Sequence, residues 1–330
     1  MKVSVLIPCH NAGLTLERCV ASVLAQAPDL LGEIIIVENG SSDNSLEVAR
    51  RIARDHPSLV IVESLSGANG NAARNRAFEL SSGSMVQWLD ADDELVSDKF
   101  TQQCLILVHG EADVVYSDFL MRTHQTDGSF HDVIRKHEAY PDFVYAILSD
   151  QWSPPCNYLL TREVAQCMHD ELAWNPETRV AQDREYFSLA AIHGFRFHYH
   201  EGLYSVYYKD NEWLSVSCKI AQEERQASVM GILARFQDAI RARNPERASL
   251  YQSLIDTWRL FGHVWLDGRQ LQRTTPLTRF QWRVIPGIKI KLLMLLRYFG
   301  IDTRLFARWL LERHRCLQPE RPSDTCGSHQ

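Results

Sequence analysis

The stretch MVQWLDADDEL, residues 85–95, combines an apolar run with closely spaced carboxylates. Its apolar start predicts a buried strand over residues 85–90. Because side chains alternate along an extended chain, Asp90 and Asp92 point the same way. Two such carboxylates suit Mg²⁺ or Mn²⁺, which bind one or two carboxylates together with ligand phosphates. The alternative is a solvated acidic turn that caps a helix at Glu94.

Upstream of this stretch, short apolar runs alternate with segments whose apolar residues recur at helical spacing. The predicted strands are 3–8, 33–38 and 59–63, and the predicted helices are 14–26, 44–55 and 72–80. This alternation with short links predicts parallel βαβ units in a sheet that helices cover on both faces. Ligands of such sheets bind beyond the carboxyl ends of the strands. The polar residues that follow each strand are therefore candidate site residues.

Three further segments carry such candidates. Glu38 ends the second strand, where a carboxylate can accept from a base or a ribose hydroxyl; alternatively, NGSSD simply caps the next helix. Arg74 lies in GANGNAARN (67–75), a loop that leads into a helix. Arginine and a helix N-terminus both favour phosphate; the alternative is an ordinary β–α connection without a ligand. Asp183, near a predicted helix start, is a candidate catalytic base, with helix capping as the alternative.

The pattern downstream of the acidic stretch is less regular. We predict strands over 112–119, 152–160 and 195–200, a loop-like segment over 121–140, and helices over 181–193 and from about residue 221. This organisation predicts one domain over residues 1–215 and a helical C-terminal region over 216–330. The histidines of 121–140 lack metal-site spacing. Trp152 and Tyr158 belong to the predicted acceptor side, where their rings can stack on a sugar; the alternative is ordinary packing.

The composition is that of a globular protein. The 330 residues are 45% hydrophobic and 23% charged, which excludes a disordered or collagen-like chain, and the net charge of −6 predicts no nucleic-acid partner. Eight cysteines without a CxxC pair fit a reducing cytoplasm. The apolar run 3–8 is too short for a signal peptide, and no stretch reaches the roughly 18 uncharged residues of a spanning helix. We therefore expect a cytoplasmic protein.

The charge is unevenly distributed along the chain. Residues 269–315 contain eleven basic residues against two acidic ones. Within this segment, residues 286–315 mix leucines and aromatic residues with the basic ones, as do helices that lie in an anionic membrane interface. The segment thus predicts a peripheral contact with the inner face of the cell membrane. The alternative is a helix packed on the domain with a solvated basic face.

Four segments together resemble the family 2 glycosyltransferases of the GT-A fold. They are VSVLIPCHNAGLTLERCVASVLAQ, EIIIVENGSSDNS, GANGNAARNRAFELSSGSMVQWLDADDEL and VAQDREYFSLAAIHGF, within about residues 1–210. The resemblance implies an α/β fold, a Rossmann-like mixed sheet flanked by helices with a C-terminal helical extension. It also implies a metal-dependent enzyme (Mn²⁺ or Mg²⁺) that moves a sugar from a nucleotide-sugar donor to a glycan or lipid-linked acceptor, with inversion, in polysaccharide or glycoconjugate biosynthesis.

The resemblance also assigns roles to individual residues. Asp92 matches the family's metal ligand, and Asp183 matches its general base. The donor-nucleotide positions fall on Pro8, Asn11, Glu38, Arg74, Asn75 and Asp90.

Some positions depart from the family's pattern. Glu38–Asn39 stand where the family usually has two aspartates, so the base pocket is reshaped, and GDP and dTDP stay alternatives to UDP. Gln182 replaces the acid that usually precedes the base, and Lys209 is a loose match to a later basic position beside the diphosphate. A sugar nucleotidyltransferase is an alternative, although PCHNAGLT matches its Gly-rich basic loop poorly. A non-catalytic nucleotide-sugar binding module is another, against which the retained aspartates argue.

Overall fold

The fold was analysed in a computed structural model of the chain. The structure describes residues 1–67, 69–125, 127–149, 151–209, 220–252 and 254–256. The described residues up to Ile255 belong to one compact unit, Met1–Ile255. The predicted domain boundary between residues 215 and 216 stays a prediction. The basic segment 286–315 lies outside the described residues, and so does its predicted membrane contact.

The first half of the unit is a parallel α/β layer. Its strands are β1 (Val3–Cys9), β2 (Leu31–Asn39), β3 (Val60–Leu65) and β4 (Met85–Trp88), and its helices are α1 (Leu16–Leu24), α2 (Ser45–Asp55) and α3 (Gly70–Leu80). β1 pairs in parallel with β2 and β4, and β2 pairs in parallel with β3. The apolar runs form strands because the central ones are buried on both faces, as β1 and β4 show.

The second half adds strands in both antiparallel and parallel pairings, and further helices. The strands are β5 (Glu94–Leu95), β6 (Val114–His124), β7 (Phe130–Arg135), β8 (Leu159–Thr161) and β9 (Phe197–Lys209). The helices are α4 (Lys99–Val108), α5 (Phe143–Leu148), α6 (Arg162–Asp170), α7 (Gln182–Ile192) and α8 (Gln222–Arg243). The sheet order is β3-β2-β1-β4-β8-β6-β9-β5, with β7 paired to β6. The predicted mixed sheet with flanking helices is thereby confirmed.

The prediction of a loop over residues 121–140 is wrong for 121–124 and 130–135, which are strands. β6 continues to His124 and pairs with β7 in an antiparallel hairpin, which a cross-strand ion pair between Arg122 and Asp132 (2.7 Å) supports. Its turn contains Gly128 at a φ of 83°. Most of β7 is exposed, so its side chains show no buried apolar pattern from which a strand could be predicted.

Two other expectations differ from the structure in detail. The strand expected over 152–160 is shorter: Pro154 and Pro155 lack the N–H that a central strand needs, and a 3₁₀ turn at Pro155–Asn157 leaves only β8 extended. The acidic turn does not cap a helix at Glu94, because that residue begins β5 and α4 starts at Lys99. Among the described helices, none has the length and apolar character needed to cross a bilayer.

Candidate active site

The predicted site residues lie where the parallel strands end. Pro8 lies in β1 beside Val37 of β2, and Glu38 pairs with Cys9 in the same register. Asn11, at a φ of 50°, connects the two strand ends: its N–H donates to Ser41 Oγ (2.9 Å), and its Oδ1 accepts from the N–H of Ser42 (2.9 Å). The structure therefore brings these three predicted nucleoside positions together.

Glu38 is buried and held by its own loop. Its Oε1 accepts from the N–H of Ser41 (2.5 Å), and its Oε2 accepts from the hydroxyl of Ser64 (2.9 Å). Burial acts to raise the pKa of this carboxyl, but hydrogen bonds from Ser41, Ser64 and Gly40 outweigh it, so the pKa is lowered. Glu38 is therefore an ionised group that shapes the loop between β2 and α2, and only its remaining lone pairs could reach a ligand.

A second group of predicted residues is joined by Arg74. Its Nη2 lies 2.6 Å from Oδ1 of Asp90, and its Nη1 donates to Oε1 of Gln182 (3.4 Å). The guanidinium carbon lies 4.6 Å from the ring centroid of Trp174. Arg74 thus links the acidic stretch after β4 to the first turn of α7, two segments far apart in the sequence.

Three asparagines fix α3 against the segment that precedes α7. Asn69, Asn71 and Asn75 donate from their side-chain amides to the consecutive backbone carbonyls of residues 176, 175 and 174, respectively. Asn71 and Asn75 are buried, and the bond from Asn75 measures 2.9 Å. This contact gives Asn75 a structural role in holding the 174–176 segment; the nucleotide contact implied by the family stays a prediction.

Asp183 lies in the first turn of α7, which follows Ala181 in a left-handed conformation. Its Oδ2 accepts from the indole N–H of Trp152 (2.7 Å), and its Oδ1 accepts from the N–H of Arg184 (2.9 Å). Burial raises the pKa of Asp183, the two hydrogen bonds and the charge of Arg74 oppose this rise, and the charge of Asp90 adds to it. A carboxylate with a raised pKa is a stronger proton acceptor, as a general base requires.

The acidic stretch divides its carboxylates between surface and interior. Asp90 and Asp92 are half-buried, whereas Asp93 is fully buried and accepts from the N–H of Tyr208 (2.9 Å). Burial raises the pKa of Asp93 well above its usual value, and the neighbouring aspartates add to this rise. Asp93 therefore anchors the turn, Asp90 is paired with Arg74, and a ligand contact of Asp90 or Asp92 stays a prediction.

Trp152 and Tyr207 form a contact pair beside Asp183 that the sequence did not predict. Trp152 contacts Asp183, and its ring stands edge-on to Tyr207 of β9, with centroids 5.7 Å apart and planes at 81°. Burial raises the pKa of the Tyr207 phenol, and the charges of Asp93, Asp183, Asp90 and Asp92 raise it further. The contact on the page is that of Trp152 with Asp183 and with Tyr207, and a cleft shared by Asp92 and Asp183 stays a prediction.

Lys209 is less informative. It is exposed at the end of β9, beside Thr123 of β6, and the residues that follow it are not described. Its predicted place beside a diphosphate stays a prediction.

The oxygen donors fit a divalent cation that a substrate helps to bind. Within the described part of the chain, no group of three or more His, Cys, Asp or Glu side chains is arranged to hold a metal. The half-buried carboxylate of Asp92 can supply one hard oxygen, and Mg²⁺ and Mn²⁺ commonly complete their shells with water and substrate phosphates. A cation held by Asp92 together with a diphosphate stays a prediction.

The chain is similar to known proteins both in sequence and in structure. The model of the family described as "Glycosyl transferase family 2" matches residues 4–159. An uncharacterised glycosyltransferase from Escherichia coli, YibD, is 35% identical over 113 residues, which are 34% of this chain and 32% of YibD. The match thus spans about a third of that relative's length.

Solved structures share the fold over more of the chain. S. aureus TarS 1–349 in complex with UDP-GlcNAc aligns with a TM-score of 0.62 at 17% identity, covering 97% of this chain and 93% of that one. The mannosyltransferase PcManGT from Pyrobaculum calidifontis, in complex with GDP-Man and Mn²⁺, aligns with a TM-score of 0.51 at 17% identity, covering 83% and 76%. At these identities the alignments establish the fold alone.

Proposed function

Because this chain contains a family 2 glycosyltransferase domain of the GT-A fold, we propose that it transfers a sugar from a nucleotide-diphosphate donor to a hydroxyl of a glycan or lipid-linked acceptor, with inversion. The observation that carries the proposal is that Arg74 contacts both Asp90 and Gln182, the residue that precedes Asp183. They come from α3, from the end of β4 and from α7, and they meet at the edge where ligands of parallel sheets bind.

On the donor side, Pro8, Asn11 and Glu38 would contact the nucleoside, and Asp90 would contact the ribose. We favour a UDP-sugar because TarS, which aligns over 97% of this chain, was solved with UDP-GlcNAc, and GDP- and dTDP-sugars stay alternatives. The guanidinium of Arg74 is close enough to this region to attract the anionic donor, and arginine suits phosphate through its planar fork.

The proposed reaction is a single displacement at C1 of the donor sugar. The acceptor hydroxyl gives its proton to Asp183 as its oxygen forms a bond to C1 from the face opposite the diphosphate. The bond from C1 to the diphosphate oxygen breaks, and its electron pair leaves with the nucleoside diphosphate. When bound at Asp92, a divalent cation supplies charge neutralisation to this leaving group. One displacement inverts C1 and needs no carboxylate nucleophile, unlike a retaining glycosidase.

The test begins with the donor and continues with two substitutions. A thermal-shift screen of UDP-, GDP- and dTDP-sugars, with and without Mn²⁺, is expected to select a UDP-sugar whose binding needs the cation. With that donor, Asp183→Asn should abolish transfer while keeping donor binding, and Asp92→Ala should weaken the metal-dependent binding. The exposed Asp29→Asn is the matched control and should behave as the parent.

Two results would contradict the proposal. Full transfer by Asp183→Asn would remove the assignment of the base. Donor binding by the parent without transfer to any glycan or lipid-linked acceptor would favour a non-catalytic nucleotide-sugar binding module.

A further inference from the structure

Trp152 holds the carboxylate that the proposed function uses as its base. The distance from its Nε1 to Oδ2 of Asp183 is 2.7 Å. An indole N–H can donate a hydrogen bond but cannot accept one, so the direction of this bond is fixed. Arg184 supplies a second donor, from its backbone to Oδ1. Each oxygen keeps lone pairs for a further partner, and the attacking hydroxyl of an acceptor is the partner that the reaction requires.

The indole of Trp152 packs against other aromatic residues. Phe119 of β6 stands edge-on to it, with centroids 6.4 Å apart and planes at 88°. Phe119 stacks on His137 (5.9 Å), whose Nε2 lies 2.8 Å from Oγ of Ser153, the residue that follows Trp152. Ser153 is buried, and it also accepts from the side-chain amide of Asn157 (3.1 Å). The indole N–H is therefore fixed in direction by packing, not left free to rotate in solvent.

The hydrogen bond also favours the form of Asp183 that a base needs. A donor aimed at a carboxylate stabilises the ionised state, and here it opposes the effect of burial. The other charged groups near this carboxylate are Arg74, which also favours ionisation, and Asp90, which disfavours it. Removal of the N–H alone should thus raise the pKa of Asp183 while α7 and the side chain of Asp183 themselves stay unaltered.

We propose that Trp152 is a positioning residue for the base: its indole N–H orients the carboxylate of Asp183 and keeps it ionised for proton transfer. This proposal rests on the proposed function, because it assigns Trp152 a role only if Asp183 accepts the acceptor's proton. The proposed role differs from packing, because an aromatic side chain of the same shape without the N–H would pack equally well but would leave Asp183 with one hydrogen-bond donor fewer.

The test separates the N–H from the aromatic ring. Trp152→Phe keeps an aromatic side chain, and replacement of Trp152 by β-(3-benzothienyl)alanine keeps the shape of the indole with sulfur in place of N–H. The second variant decides the question if the first does not fold. In both, kcat for the donor selected above is expected to fall roughly 10- to 100-fold, the size of one hydrogen bond to a charged group. The acid limb of the pH profile of kcat is expected to move to higher pH.

The controls distinguish positioning from packing. Phe119→Leu loosens the support of the indole but keeps its N–H, so its acid limb should move less than that of the benzothienyl variant even if its stability falls. An unmoved acid limb in the benzothienyl variant, with kcat within about twofold of the parent, would overturn the proposal, because a lost hydrogen bond to a charged group costs more than that. A fall in kcat and stability without a shift of the limb would also overturn it and would make the role structural.

Asp183→Asn, measured in parallel, keeps the two proposals apart. If Asp183→Asn is inactive and the Trp152 variants match the parent, only the positioning role fails. If Asp183→Asn keeps full activity, the base assignment fails, and the positioning role fails with it.

Discussion

Glu185 and Arg235 join α7 to α8, and breaking this pair tests what holds the first turn of α7 in place. The side chain of Glu185 is 0% exposed and that of Arg235 is 29% exposed. Glu185 also accepts from Thr178 Oγ1 (2.7 Å), and Arg235 also donates to the carbonyls of residues 172 (3.2 Å) and 171 (2.7 Å). Arg235→Ala removes the cation and leaves a buried carboxylate with one neutral donor.

The expected loss follows from these contacts. Removing one partner of a fully buried ion pair costs about 3–5 kcal/mol of unfolding free energy, because an unpaired charge is left inside the protein. Since Arg235 is partly exposed, water can reach the carboxylate once the guanidinium is gone. We therefore expect a loss of about 2–3 kcal/mol at neutral pH, below the fully buried range.

The loss should depend on pH in a defined direction. Burial raises the pKa of Glu185, and the bond from Thr178 and the charge of Arg235 oppose this rise. Without Arg235 the folded pKa rises further above its unfolded value. An acid with a raised folded pKa destabilises the fold as the pH climbs through that range, because the unfolded chain releases the proton more easily. The loss should therefore be smaller at about pH 5 than at about pH 7.5, where an unfolded glutamate is fully ionised.

Urea unfolding of the full chain at both pH values measures the loss of unfolding free energy in Arg235→Ala, and two variants serve as controls. Arg235→Ala combined with Glu185→Gln should regain part of the stability and lose the pH dependence, since no buried charge is left. Arg51→Ala breaks an exposed pair with Glu17 and should cost less than about 1 kcal/mol. If Arg235→Ala costs as little as Arg51→Ala, or costs the same at both pH values, the reasoning is refuted.

Two further predictions concern stability. Lys99 is fully buried, its Nζ donates to the carbonyl of Asn157 (3.1 Å), and burial lowers its pKa to about 7. The free energy of unfolding of the parent should therefore rise between about pH 7 and pH 10, where only the unfolded lysine binds a proton. In Lys99→Met this rise, measured as urea midpoints, should disappear. The variant should also be more stable than the parent at about pH 7. Ala181 has φ 54° and ψ 34°, so Ala181→Gly should stabilise the fold by about 0.5–1 kcal/mol, and a lower urea midpoint would contradict this.

The parallel half of the fold was predictable because its signals are local. β1 ends one residue beyond the predicted stop at Pro8, and α2 begins one residue after the predicted residue 44. Buried runs and helical spacing suffice there, since a central strand must be apolar on both faces. The β6–β7 hairpin was missed because its side chains are largely exposed and its pairing depends on backbone bonds, which leave no pattern in the side chains.

The site was predictable only in part. That Asp90 and Arg74 lie at one edge follows from the alternation of strands and helices, but the place of Asp183 came from family resemblance. Trp152 lies 31 residues before the carboxylate that it contacts, and no spacing rule connects them. The contacts of Asn69, Asn71 and Asn75 could not be predicted from the sequence either. Their partners are the backbone carbonyls of residues 174–176, and every residue has a backbone carbonyl whatever its side chain.

The family match includes the predicted donor side of the site but not the proposed base. The family match ends at residue 159, at the start of β8, so it includes Asp90 and Asp92 but neither Asp183 nor Tyr207. A nucleotide diphosphate is a common ligand that one parallel layer can serve in many enzymes, whereas acceptors differ from one enzyme to the next. The proposed base and its aromatic neighbours lie on the later elements, and Arg74 and the asparagines of α3 fix those elements to the shared layer. Acceptor choice should accordingly follow exchanges within β6–β9, and donor choice should follow exchanges within β1–β4.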